Sequence, residues 1–226
     1  FDTIVVSRER SSLPHEKPSK KKIVEGELII VDSSGVTVNG LGIMDSDVLI
    51  EIAFSSNITV TDSNLITGRY GIYVYESSDI AIESSVIDNC EVGVYGLEST
   101  ITVDAVNLSR LSTGVFLESA SITVKNSFIQ TSGFGVQLYT ADAVIENTEI
   151  SNSQHGILAQ MKSSIEIKVS VIKDSDFYGI KLYISDMFAN NSVIDNSYIG
   201  IEAESADIDM YNTNITNNEE AGIDVE

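Results

Sequence analysis

Eight glycines, at positions 71, 93, 114, 135, 156, 179, 200 and 222, recur at intervals of 22, 21, 21, 21, 23, 21 and 22 residues. A period of that length, held over most of a chain, means stacked copies of one small unit. Each glycine is followed by a β-branched residue: Ile72, Val94, Val115, Val136, Ile157, Ile180, Ile201 and Ile223. A second apolar column precedes it, at Leu65, Ile87, Leu108, Ile129, Ile150, Ile172, Ile194 and Ile215. Earlier still comes an alternating pair, as in Ile58/Val60, Ile80/Ile82, Ile101/Val103, Ile122/Val124 and Ile165/Ile167. The pair weakens to Ala143/Ile145, Met187/Ala189 and Ile208/Met210 in the other copies. Val36/Val38, Ile43 and Ile50/Ile52 fit the same frame, and Leu28/Ile30 fits one step earlier, giving nine to ten units.

Alternation with period two predicts short strands with one buried face. Three such strands fill a repeat of 21–23 residues and leave no room for a helix of 10–12 residues. The expected fold is all-β: a coil of strands in which each unit lies on the last, about 4.8 Å apart. Nine to ten coils make a rod roughly 45 Å long. Residues 26–226 contain no proline, which fits unbroken strand pairing. Residues 1–25 stand apart as a basic segment with both prolines, a candidate strand at Thr3–Val6 and an exposed linker from Ser11 to Lys22.

The corners carry their own signature. Asn191-Ser192-Val193-Ile194-Asp195-Asn196, leading to Gly200-Ile201, recurs as Asn147-Thr148-Glu149-Ile150-Ser151-Asn152 before Gly156-Ile157. It appears again as Asn212-Thr213-Asn214-Ile215-Thr216-Asn217 before Gly222-Ile223. Asparagine tolerates turn conformations, and its amide can bond to the copy above. This phrase resembles the repeat of right-handed parallel β-helix proteins, the group that includes pectate lyases, polygalacturonases and NosD-like periplasmic proteins. The resemblance covers roughly residues 27–226 and implies a right-handed, single-stranded parallel β-helix. It speaks for the scaffold and not for an activity.

Pectin-degrading and sugar-epimerising members of that group build their sites from long loops bearing acidic clusters and an arginine or lysine. No repeat here exceeds its neighbours by more than two residues. Where a polygalacturonase-like site needs Asn-Thr-Asp, an Asp pair and Gly-His-Gly, this chain has Asn147-Thr148-Glu149 and Gln154-His155-Gly156 in ordinary repeat positions. His155, immediately before its glycine in a column with Tyr70, Phe134, Tyr178 and Ile199, reads as a packed corner residue, and Cys90 as an incidental thiol. No catalytic residue is assigned, and the expectation leans away from an enzyme. If there is an activity, the resemblance points to a polysaccharide lyase, a glycoside hydrolase or an epimerase.

Net charge is −21, and from Gly26 onward thirty acidic residues face seven basic ones. Such a surface repels nucleic acid and anionic lipid. No run of about 18 apolar residues exists to span a membrane. One cysteine allows neither an internal disulfide nor a cysteine metal cluster. Glu76, Glu98, Glu118, Glu204 and Glu226 line one edge and offer oxygen ligands to Ca2+, but no loop motif gathers them. No metal site or cofactor is expected. The column Glu83, Asp104, Lys125, Glu146, Lys168 predicts a ladder of exposed ion pairs that orders the stack.

Tyr73, Tyr95 and Phe116 stand two residues after the glycine, and Tyr75, Tyr139 and Tyr183 four after it. Alternation points them outward. Exposed stacked rings can hold the apolar faces of sugars, pack on another subunit or simply stabilise the sheet. Sequons at Asn57, Asn107, Asn190 and Asn214 allow N-glycosylation. The first residue, Phe1, suggests a processed or excised product, and Gly222-Ile223-Asp224-Val225-Glu226 stops in mid-coil. An uncapped solenoid end exposes strand edges, so self-association through the ends, or through Thr3–Val6, is expected if the chain is not a fragment. Thr3–Val6 can equally cap its own first coil. Together these features suggest an extracellular, cell-surface or periplasmic structural or interaction protein, either self-assembling into a filament or sheath or contacting carbohydrate.

Overall fold

The computed structural model describes residues 4–7, 29–32 and 34–226, with side chains at Val31 and from Ser34 onward. The linker expected at Ser11 to Lys22 and the boundary between residues 25 and 26 lie outside the described residues. Within them no helix occurs, and the fold is a parallel β-solenoid of about nine coils. One thirteen-stranded sheet holds the long strands, such as Val86–Leu97, Asn107–Glu118 and Phe128–Tyr139. One nine-stranded sheet holds the short ones, such as Thr100–Asp104 and Ser121–Lys125. Repeat sits on repeat in the predicted register, with Ile101 on Ile80 and Val136 on Val115.

Each coil has three straight stretches, but two of them usually run on as one bent strand. The bend falls at a residue with positive φ, such as Asn89, Arg110 or Asn196. The other two corners do the same, at Ser84, Ala105, Asn126 and Asn147, and at Glu76, Glu98, Ser119 and Thr140. The left-handed conformation costs L-residues least when they are asparagine or aspartate, which accounts for the asparagine columns. Their amides rung the ladder: Asn147 Nδ2 donates to Asn126 Oδ1 and Asn126 Nδ2 to Asp104 Oδ1, both at 2.8 Å.

The interior is a stack of like on like. Leu65, Ile87, Leu108, Ile129, Ile150, Ile172 and Ile194 form one fully buried column, and burying each such side chain contributes about 1.5–3 kcal/mol. Corner serines plug the space between coils. The Ser85 hydroxyl donates to the Glu83 carbonyl at 2.7 Å and accepts the Ser63 backbone N–H at 3.1 Å. A second serine column, Ser55, Ser77, Ser99, Ser163 and Ser185, is equally buried at another corner. The glycine column is demanded by closeness. A Cβ on Gly114 would lie 2.5 Å from the Gly135 carbonyl oxygen and 2.5 Å from Ile129 Cγ2.

Two expectations need correction. Beneath Ile50 and Ile52 lie Ile29 and Val31, so the first coil is shifted by one residue from the Leu28/Ile30 frame. Four consecutive apolar residues there satisfy either alternation. The charged ladder closes at one rung among the described residues, Lys125 to Asp104 at 3.1 Å. Lys168 instead reaches Glu166 on its own strand at 2.9 Å. At the start of the solenoid, Ile4–Ser7 pairs antiparallel with Ile29–Asp32, so this segment lies along its own first coil.

Candidate functional site: an outward strip on the long-strand sheet

Two outward columns flank the glycines and run along the axis. The residues just before the glycine stack as Tyr70, Val92, Thr113, Phe134, His155 and Tyr178. Those two after it stack as Glu51, Tyr73, Tyr95, Phe116, Gln137, Leu158, Lys181 and Glu202. Together they make a strip whose two halves differ in chemistry.

In the first half the rings of Tyr73 and Tyr95 are stacked, with centroids 5.0 Å apart and planes 10° apart. Phe116 meets Tyr95 edge-on at 5.3 Å. Tyr70 closes on both tyrosines at 5.4 and 5.6 Å. Arg69 lies 5.0 Å over the Tyr70 ring and reaches Glu91 at 3.7 Å. Burial, then the charge of the nearby Glu118 carboxylate, holds the Tyr95 phenol well above the usual range. Burial also raises Glu51. The rings therefore form a half-buried aromatic ledge rimmed by carboxylates.

In the second half His155 is stacked between Phe134, at 5.1 Å, and Tyr178, at 5.2 Å. Phe177, in the 23-residue repeat, lies 5.7 Å away on a third side. Lys181 sits 4.5 Å over the Tyr178 ring and bonds Glu202 at 2.7 Å, and Tyr178 also bonds Glu202. Burial, reinforced by the Lys181 cation, lowers the His155 pKa. The Glu202 contact raises Tyr178. Burial alone would lower Lys181 and raise Glu202, but their mutual bond, their charge attraction and the Tyr178 contact together outweigh it in both. At neutral pH each group is thus held in its ordinary state: imidazole and phenol neutral, ammonium and carboxylate charged.

A family model described as right handed beta helix region matches residues 113–226, and one described as periplasmic copper-binding protein (NosD) matches residues 15–158. The chain belongs to the right-handed β-helix and NosD families. No curated protein matches it. Among solved β-helices, the mannuronan C-5 epimerase AlgE6 A-module of Azotobacter vinelandii is similar at 14% identity and a TM-score of 0.70, over 81% of this chain and 61% of that one. Tailspike protein 2 from an Escherichia coli bacteriophage is similar at 14% identity and a TM-score of 0.63, over 84% of this chain and 34% of that one. These likenesses show the fold, and this β-helix spans less than two thirds of either structure's length.

Copper takes thiolate, thioether and imidazole ligands, converging in threes or fours. In this β-helix Cys90 is buried, and burial pushes its thiol up to about 11. His155 lies between rings with Nδ1 buried and unpartnered. Met187 is buried, while Met161 and Met210 are exposed on other elements. Among the described residues no three His, Cys, Asp or Glu side chains gather to hold a metal ion, so these residues do not fit a copper site. The same finding leaves the glutamate edge without a gathered Ca2+ site. No helix among them is long and apolar enough to cross a membrane.

The six expected aromatics divide. Tyr73, Tyr95 and Phe116 form the ledge. Tyr75 turns edge-on to Phe54 at 5.2 Å. Tyr139 and Tyr183 occupy the same column as Tyr75, but Leu97, Glu118 and Gln160 separate the three. Sequence reasoning placed Tyr70 in a corner column and missed that it joins the ledge. It also missed the Lys181–Glu202 couple, although the two stand at one position of consecutive repeats. Of the sequon asparagines, Asn57, Asn107 and Asn214 are exposed, whereas Asn190 is half-buried with its Oδ1 enclosed.

Proposed function

We propose that this β-helix is a non-catalytic interaction module acting outside the cytoplasm, which holds a polysaccharide chain along the ledge of Tyr70, Tyr73, Tyr95 and Phe116. The observation that carries this reading is a run of outward rings that advances one ring per coil along the solenoid axis, with centroids 5.0 and 5.3 Å apart. An extended sugar chain laid parallel to the axis meets a new ring at each coil. Among the described residues no long loop rises beside the ledge to close it off. The NosD match, described as periplasmic, supports a place beyond the cytoplasm, and the mannuronan epimerase shows the same scaffold in a polysaccharide-directed protein.

A second reading, a polysaccharide lyase, hydrolase or epimerase, draws on the convergence of His155, Tyr178, Lys181 and Glu202. Lys181 and Glu202 are bonded to each other and His155 is stacked between two rings, which argues against it. Affinity electrophoresis through gels containing soluble polysaccharides tests the first reading. The wild-type chain is retarded, and Tyr95→Ala and Phe116→Ala each weaken binding roughly tenfold, about 1.4 kcal/mol. Retardation unchanged by both substitutions refutes the ledge. Product release from a polysaccharide that is abolished by Glu202→Gln would establish the enzyme instead.

A further inference from the structure

The ledge also carries information about charge. Two carboxylates flank its rings: Glu51 lies one coil below Tyr73 in the same column, and Glu118 stands two residues beyond Phe116 on its strand, close enough for its charge to raise the Tyr95 phenol. Among the described residues no cation pairs with either. The cation beside the ledge, Arg69, is turned toward Glu91, and the cation farther along the strip, Lys181, is bonded to Glu202. The ledge therefore meets a ligand with ring edges, phenol oxygens and unpaired negative charge.

Resting on the polysaccharide reading, we propose that the ledge selects an uncharged sugar chain and rejects a polyuronate. A uronate carboxylate brought down onto Tyr73 or Tyr95 meets Glu51 or Glu118 with no cation to compensate, and like charges at an interface discriminate strongly against the wrong partner. A neutral pyranose brings hydroxyl donors to the same carboxylates, and hydrogen bonds to an ionised acceptor are among the stronger ones available. The ring faces of the sugar supply the apolar contact. Discrimination thus comes from repulsion of the charged chain as much as from attraction of the neutral one.

The chain has nine tyrosines and no tryptophan, and Tyr70, Tyr73 and Tyr95 lie in the ledge, so a change in tyrosine fluorescence that Tyr95→Ala reduces and Tyr211→Ala does not reports on it. Titrations use the whole chain with three probes: a cello-oligosaccharide hexamer, a xylo-oligosaccharide hexamer and a mannuronate hexamer. At low salt at least one neutral hexamer binds about tenfold tighter than the mannuronate hexamer, and added salt narrows the gap by screening. The double substitution Glu51→Gln with Glu118→Gln lets the mannuronate hexamer bind and weakens the neutral one. Tyr211→Ala, on an exposed ring of the other sheet, serves as a control for folding and for signal. Mannuronate binding as tight as, or tighter than, neutral binding overturns the charge rule while leaving the ledge in place. Failure of all three probes, or binding indifferent to Phe116→Ala, overturns the ledge and the charge rule with it.

Discussion

The two halves of the outward strip share one backbone, one register and one glycine column, yet they treat their side chains oppositely. Around His155 every charge is spent: Lys181 on Glu202 and the Tyr178 ring, Tyr178 on Glu202, and His155 between two ring faces. Around Tyr95 the rings satisfy one another, and among the described residues no cation pairs with Glu51 or Glu118. The lesson is that charges which converge can also be spent on one another. The richer constellation, with an imidazole, a phenol, an amine and a carboxylate, pairs its charges internally and leaves only the His155 Nδ1 without a partner. The plainer ledge retains unmet capacity.

The comparison breaks hardest at Gly114, which joins the halves, because Phe116 pairs upward with Gln137 and Thr113 with Phe134. Gly114→Ala forces a methyl against the Gly135 carbonyl at 2.5 Å, a backbone atom that cannot swing aside. Overpacking of this kind destabilises by about 3 kcal/mol. A Cβ on Gly42 meets nothing within 4 Å, so Gly42→Ala stays within about 0.5 kcal/mol of wild type. Urea unfolding midpoints check both. Equal midpoints for the two variants would mean that the coils do not approach as closely as the glycine column requires.

The next effect sharpens the contrast. Tyr95→Ala removes a ring from the ledge, abolishes most glycan retention and lowers stability by about 1 kcal/mol. His155→Ala opens a gap between Phe134 and Tyr178 and lowers stability by a similar or larger amount, about 1–2 kcal/mol, while leaving glycan retention unchanged. Retention and unfolding are measured on the same preparations. If His155→Ala also loses retention, the strip is one continuous site and its division into halves is wrong. Lys181→Met follows, leaving Glu202 without its cation while its side chain is 23% exposed. Because both partners are partly solvated, the loss is expected to be about 1 kcal/mol or less.

Much of this could be read from the sequence because stacking forces each corner to repeat its own chemistry. Ser85 and Ser192 fill the same plug, and Asn126 and Asn147 bond to each other through the same corner. What escaped was anything decided by side-chain reach. Lys168 is long enough to choose between Glu146 on the neighbouring coil and Glu166 on its own strand, and repeat position alone cannot make that choice. Tyr70 was assigned by its distance from the glycine, but its ring crosses from one outward column to the other. The aromatic column four residues after the glycine looked continuous only because Leu97, Glu118 and Gln160 were passed over. Backbone stacking was legible, and ring-to-ring contact was not.

The smallest effect is a matter of protons. The ordinary pKa of histidine is 6.5, and in the fold burial and the Lys181 cation lower that of His155. Above about pH 6.5 the imidazole is neutral in both folded and unfolded chains and contributes no slope. As pH falls through that value the unfolded chain takes up a proton that the folded chain refuses, so stability declines until the lower folded pKa is reached. The carboxylates with depressed pKa, Asp88 beside Arg110 and Glu202 beside Lys181, lose their contributions only at more acidic pH, below their own ordinary values of 3.8 and 4.5. The two windows therefore separate. His155→Phe keeps a ring between Phe134 and Tyr178 and removes the titration, so its unfolding midpoint declines less than that of the wild type between about pH 7.5 and about pH 5.5. Identical slopes in the two proteins would show that solvent reaches the imidazole despite its rings.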